Sequence, residues 1–121
     1  MPRAATTSDI FNAIAEGRRR DILAFLAPSA RPVGDIVAAL GLPQPSVSKH
    51  LKVLREVGLV NVHREGRQMH YRLNVETMRP IREWTSLFDR YWTGQLARVR
   101  DRAERTTRAA GPHTTTRGDA P

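Results

Sequence analysis

The sequence predicts a mainly helical domain of about five helices with one small β-hairpin. Three observations carry that reading. Apolar residues recur at steps of three and four in successive segments up to Gly58, the period changes to alternation from Leu59 to Leu73, and a helical stripe resumes from Ile81 to Val99. A chain of 121 residues has room for one compact domain, placed at residues 9–105 between flanks expected to be disordered, 1–8 and 106–121, which are small, polar and without apolar period.

Ile10, Phe11, Ile14 and Ala15 mark the first helix, with Ser8 or Asp9 as its expected N-cap. Gly17 interrupts the pattern. Ile22, Leu23 and Leu26 mark the second helix, which carries Arg18, Arg19 and Arg20 on its leading turn, where a solvated face is the favoured reading. Ala30 to Pro32 reads as a connection, and Ile36, Val37 and Leu40 as a short third helix that stops at Gly41, a residue suited to a left-handed C-terminus. Leu42-Pro43-Gln44-Pro45 is a tight turn, and Val47, Leu51, Leu54 and Val57 give a longer fourth helix ending at Gly58. A short helix, a Gly-containing turn and a longer helix are the layout of a helix-turn-helix.

From Leu59 the alternation puts Val60, Val62, Met69, Tyr71 and Leu73 inward, and Asn61, His63, Gln68, His70 and Arg72 outward. Between the two runs lies a basic tip, Arg64-Glu65-Gly66-Arg67, whose glycine fits a short hairpin loop. The whole is therefore a winged helix-turn-helix with a two-stranded wing. The last helix is expected over about 76–104, with Pro80 in an irregular first turn or at a kink. Ile81, Trp84, Phe88, Trp92, Leu96 and Val99 run down one side of it, widened by Leu87 and Tyr91. So large an apolar stripe on a small domain points to a second copy of the chain, with a pocket for an organic effector between subunits as the alternative.

The net charge of +8, with all but two of twenty basic residues arginine, points first to a polyanion. Residues 41–72 hold six Lys and Arg against Glu56 and Glu65, half of that net charge in about a quarter of the chain. The absence of cysteine excludes disulfides, thiolate metal sites and Cys nucleophiles. With neither a phosphate-cradling Gly-rich loop nor a close carboxylate pair, the sequence does not read as an enzyme. No stretch has the length of a bilayer span or the pattern of a signal peptide, so the expected compartment is the cytoplasm and no membrane partner is expected.

The run Pro45-Ser46-Val47-Ser48-Lys49-His50-Leu51-Lys52-Val53-Leu54-Arg55-Glu56-Val57-Gly58-Leu59-Val60, with Arg64-Glu65-Gly66-Arg67 and Tyr71-Arg72-Leu73 behind it, resembles the ArsR/SmtB family of bacterial winged-helix repressors. Glu16 to Leu23 resembles that family's entry into its second helix, and the resemblance covers about residues 9–100. It implies a homodimer built from the first and last helices, here Ile10, Phe11 and Ile14 with Trp84, Phe88, Tyr91, Trp92, Leu96 and Val99, and repression by occupying a promoter. It also implies that many relatives sense metals through Cys pairs or through Asp and His in the last helix. This chain has no Cys, and no His between Tyr71 and Pro112, so no metal site of those kinds and no cofactor is expected. Pro43 also stands where the family commonly has a capping Ser.

In a helix-turn-helix the start of the second helix enters the major groove of double-stranded DNA. The polar candidates there are Gln44, Ser46, Ser48, Lys49 and Lys52; Gln reads adenine bidentately, and Ser and Lys reach base edges or phosphates. His50 is divided between a DNA-backbone contact and a hydrogen bond at the helix packing interface. Arg64, Arg67 and Arg72 of the wing are candidates for phosphates or a narrow minor groove. His63 and His70 form an expected cross-strand pair on the wing, two metal-type ligands without a third. The rival of another class, a winged-helix module for protein or RNA, would carry an apolar or acidic face where this one is polar and basic. A small-molecule effector stays open.

Overall fold

A computed structural model of the chain describes residues 5–110. Among the described residues there are six α-helices and a three-stranded antiparallel sheet. In order they are α1 (Thr7–Ile14), α2 (Gly17–Leu26), β1 (Arg31–Pro32), α3 (Val33–Leu40), α4 (Gln44–Glu56), β2 (Val60–Glu65), β3 (Gln68–Leu73), a 3₁₀ turn (Val75–Met78), α5 (Arg79–Ser86) and α6 (Asp89–Ala110). The chain divides into two compact units, residues 1–83 and residues 84–121.

In the first unit, Ile10, Ala13, Ile22, Leu23, Leu26, Ile36, Val47, Leu51, Leu54, Leu59 and Val60 make one buried cluster, and no polar or charged residue is buried among the described residues. Every helix from α1 to α4 contributes to it, so the amphipathic period of each is what closes the core. Ile10, expected at a subunit interface, is only 6 % exposed and packs in its own subunit's core. Phe11 and Ile14 remain half-buried.

Helix α1 starts earlier than the sequence suggested. Thr6 is the N-cap: its Oγ1 accepts from the Asp9 N–H at 3.1 Å, and its own N–H donates to the Asp9 carboxylate at 3.0 Å. Ser8 lies inside the helix. A reciprocal box of this kind satisfies two amides that a helix start otherwise leaves open, and such caps contribute about 1 kcal/mol. Of the flanks expected as disordered, Thr7 and Ser8 are helical and Thr106 to Ala110 continue α6; residues 1–4 and 111–121 lie outside the described residues.

Glu16 caps α2 by accepting the Arg18 N–H at 2.5 Å. Arg19 Nε donates to the Ala13 carbonyl at 2.6 Å, and Arg20 Nη1 donates to the carbonyls of Ile14 and Ala15 at 2.8 and 3.1 Å. Two of the three arginines read as a solvated face, Arg19 and Arg20, instead close the C-terminus of α1, where orphan carbonyls and the negative end of the helix dipole favour cations.

The segment expected as a plain connection holds strand β1, which pairs Arg31 with Tyr71 and Pro32 with His70. The sheet order is β1-β3-β2, so β3 is central and the proline sits on an edge strand, where a missing N–H does least harm. Helix α3 ends as expected, with Gly41 at φ 65° donating to the Val37 carbonyl at 2.9 Å.

Strands β2 and β3 pair from Val60↔Leu73 to Glu65↔Gln68 around the two-residue turn Gly66-Arg67. Gly66 has φ 65° and Arg67 does not have positive φ, the pattern of a II′ turn that matches strand twist. Two inside-outside expectations change. Met69 is 42 % exposed, because the Arg64↔Met69 pair stands beyond the reach of the helices that cover Val60 and Leu73. His70 is half-buried, because β1 runs alongside it with Pro32 in register.

The single helix expected over 76–104 is three pieces. The 3₁₀ turn comes first, Pro80 then occupies the second position of α5, where its missing N–H is harmless, and α5 and α6 are separated at Leu87 and Phe88. There Leu87 donates to the Trp84 carbonyl at 3.2 Å and Phe88 to that of Thr85 at 3.0 Å, tight closures that end one helix; the Phe88 carbonyl then accepts from Tyr91 and Trp92 and begins the next. Trp84 and Phe88 meet edge to face at 5.3 Å. Trp84, Leu87, Phe88, Tyr91, Trp92, Leu96 and Val99 are between 41 % and 68 % exposed. No described helix is long and apolar enough to cross a membrane.

Candidate nucleic-acid interface

Helix α4 starts at Gln44, inside the stretch Leu42–Pro45 read from the sequence as a tight turn. Pro43 is its N-cap residue with φ −61° and makes no side-chain cap, its carbonyl accepting instead from Ser46 and Val47 at 3.0 and 3.1 Å. Pro45 lies in the first turn, where proline costs no hydrogen bond. Burying Val47, Leu51 and Leu54 turns the other face to solvent, where Gln44, Ser48, Lys49, Lys52 and Arg55 are exposed and Ser46 is half-buried at the edge. No acidic residue occurs on α4 before Glu56, its last residue.

His50 is half-buried, and its Nδ1 is shielded from solvent with no hydrogen-bond partner among the described residues. Of the two readings of this residue, the packing one therefore lacks a bond at Nδ1. The Glu16 carboxylate is held below the usual range, first by the Arg18 N–H it accepts, with burial opposing and with smaller contributions from the basic side chains of His50, Arg18 and Arg19.

On the hairpin, Arg64, Arg67 and Arg72 are all exposed, but they do not share a face. Arg64 lies on the same face as Val60 and Val62, Arg72 lies opposite Asn61 on the other side of the sheet, and Arg67 is in the turn. His63 and His70 are in register as expected, with ring centroids 5.7 Å apart. Sequence spacing does not group Glu65 with them, yet its Oε1 lies 3.6 Å from His70 Nδ1 and 4.0 Å from His63 Nε2. Among the described residues no three His, Cys, Asp or Glu side chains form a group that could hold a metal ion.

A short helix and a longer one joined by a Gly-containing turn, followed by a hairpin with an exposed basic tip, define a winged helix-turn-helix DNA-binding domain. The model of the family described as "Bacterial regulatory protein, arsR family" matches residues 16–62, from the cap of α2 into β2. The transcriptional repressor SdpR of Bacillus subtilis is 31 % identical over 77 residues, covering 64 % of this chain and 86 % of SdpR. The HTH-type transcriptional repressor SmtB of Mycobacterium tuberculosis is 43 % identical over 65 residues, which span 54 % of this chain and about half, 48 %, of SmtB. The solution structure of the homodimeric winged helix-turn-helix DNA-binding domain of Mb0332 from Mycobacterium bovis superposes with a TM-score of 0.58 at 32 % identity, covering 68 % of this chain and 77 % of that one. The chain belongs to the ArsR family of bacterial transcriptional regulators.

Proposed function

We propose that the chain is a dimeric repressor that binds a palindromic operator, with α4 in the major groove and the hairpin along the backbone. The observation that carries this reading is the exposed face of α4, where Gln44, Ser48, Lys49 and Lys52 stand opposite a buried Val47-Leu51-Leu54 stripe with no carboxylate among them. Gln44, Ser46 and Ser48 are the base readers, Lys49 and Lys52 reach base edges or phosphates, and His50 lies at the border of the contact. Arg67 at the turn reaches phosphate or the minor groove, with Arg64 and Arg72 able to serve only from opposite faces of the hairpin. Repression rests on the names of SdpR and SmtB, and autoregulation at its own promoter belongs to the same reading.

Dimerisation rests on the exposed aromatic side of α5 and α6 and on the homodimeric Mb0332 domain. Trp84, Phe88, Tyr91, Trp92, Leu96 and Val99 supply the interface, with Phe11 and Ile14 from α1. Two copies of α4 then read successive major grooves about 34–36 Å apart. Such a regulator works where the chromosome is, in the cytoplasm, and the reading needs no resident metal or cofactor.

Selection of bound duplexes from a random library by the purified chain, with and without Zn(II), tests this. Enrichment of an imperfect palindrome is the expected result, and Lys49→Ala and Arg67→Ala each then reduce affinity and lower the slope of log K against log salt by about 1.8, about 0.9 for each copy in the dimer. If no duplex is enriched, the winged helix serves a protein or RNA partner. Enrichment that Zn(II) abolishes would make the protein a metal sensor.

A further inference from the structure

The positive charge of this chain is not spread over its surface. Residues 41–72 hold a net +4, and residues 98–108 hold five arginines against Asp101 and Glu104, a net +3, so two short stretches account for nearly all of the total of +8. The first stretch is the helix-turn-helix and hairpin already described. The second is on α6, in the other compact unit, and the proposed operator contacts make no use of it.

On α6, Arg98, Arg102 and Arg105 stand at i, i+4 and i+7 and so form one ridge, all exposed. Trp92, Leu96, Val99 and Ala103 form the neighbouring side, about a third of a turn round the helix from the ridge, the one a second copy would cover. Among the described residues neither Asp101 nor Glu104 forms an ion pair with these arginines. The helix dipole does not account for them, since it acts within about the last turn and Arg98 and Arg102 lie two or more turns before Ala110. Like charges at this spacing repel and weaken the helix, a penalty that a polyanion relieves. The ridge is about 10 Å long, enough to face several phosphates of a duplex that carries a charge about every 1.7 Å. A lipid surface fits less well. At the level of the arginines the adjoining side tapers from Trp92 and Leu96 to Ala103 and Thr106, too small to anchor in acyl chains.

We propose that the Arg98-Arg102-Arg105 ridge of α6 is a second, sequence-independent contact for the phosphates of duplex DNA. This rests on the DNA-binding reading above. It gives the regulator a non-specific affinity that the helix-turn-helix does not have to supply.

The test compares the full chain with the triple variant Arg98→Gln, Arg102→Gln, Arg105→Gln, which keeps good helix formers, and with the triple Arg→Lys variant. Affinity is measured by fluorescence anisotropy over a salt series, for the duplex enriched by selection and for a scrambled duplex of the same length. The Gln variant should lose about 2.7 per subunit from the salt slope, about 5.4 where both ridges of a dimer reach the duplex, should weaken about tenfold or more on both duplexes, and should keep their affinity ratio, while Lys restores the slope. A Gln variant with native helicity and oligomeric state, and with the wild-type slope, would overturn the proposal. Loss of binding to phosphatidylserine vesicles with DNA binding unchanged would overturn it too, in favour of a lipid surface. Wild-type protein that binds neither duplex sinks the operator reading itself, an outcome distinct from a wild type that binds and a variant that matches it.

Discussion

Gly41 sits at φ 65° with open space where a side chain would start, so only its backbone conformation restricts substitution. Gly41→Ala should destabilise the fold by about 1–2 kcal/mol, read as a lowered Tm, because a Cβ meets its own carbonyl in the left-handed region. The sequence showed this residue because glycine after an apolar period has a single strong meaning. Arg19 and Arg20 were illegible for the opposite reason: an arginine run has many uses, and only the fold brings the last carbonyls of α1 within reach of these two. Glu16 carries a pH prediction. Its carboxyl is depressed in the folded chain, so the stabilisation it contributes is present above the ordinary glutamate value of 4.5 and is lost as pH falls through the lower folded value. Glu16→Gln should therefore lower stability at neutral pH and flatten the acid limb of the pH–Tm profile below that point.

Among the elements, those with a long period were legible and those without were not. Helix α4 and the β2-β3 pair declared themselves, since one buries every third or fourth residue and the other alternates up to a glycine turn. Strand β1 has two residues, too few for any period, and only its partner β3 defines it. The break at Leu87 and Phe88 has neither glycine nor proline to announce it. Gly94, by contrast, lies inside α6 without breaking it, and a Cβ there would meet only the Arg98 guanidinium, 3.9 Å away. Gly94→Ala should raise the thermal stability of the helix by about 0.5–1 kcal/mol, checked by circular dichroism on heating.

For the whole molecule, the proposed partnership with a second copy rests on the exposed aromatic side of α5 and α6. A dimer whose folding is linked to association has a Tm that rises with protein concentration. We expect that dependence in the wild type and its loss in Trp92→Ser with Val99→Ser, which sedimentation should report as monomeric. The candidate DNA face was readable because its residues lie on one helix; the splitting of Arg64 from Arg72 was not, because it depends on register. At His70 and Tyr71, β3 is bonded on both sides, to β2 and to a strand that runs straight into α3, so the base of the hairpin is no loose flap. In the proposed dimer, a signal that releases the operator would then have little to bend within either reading head: it would act as a caliper does, altering the separation of two stiff jaws, and amide exchange in β1 and β3 should be equally slow in the free and released proteins.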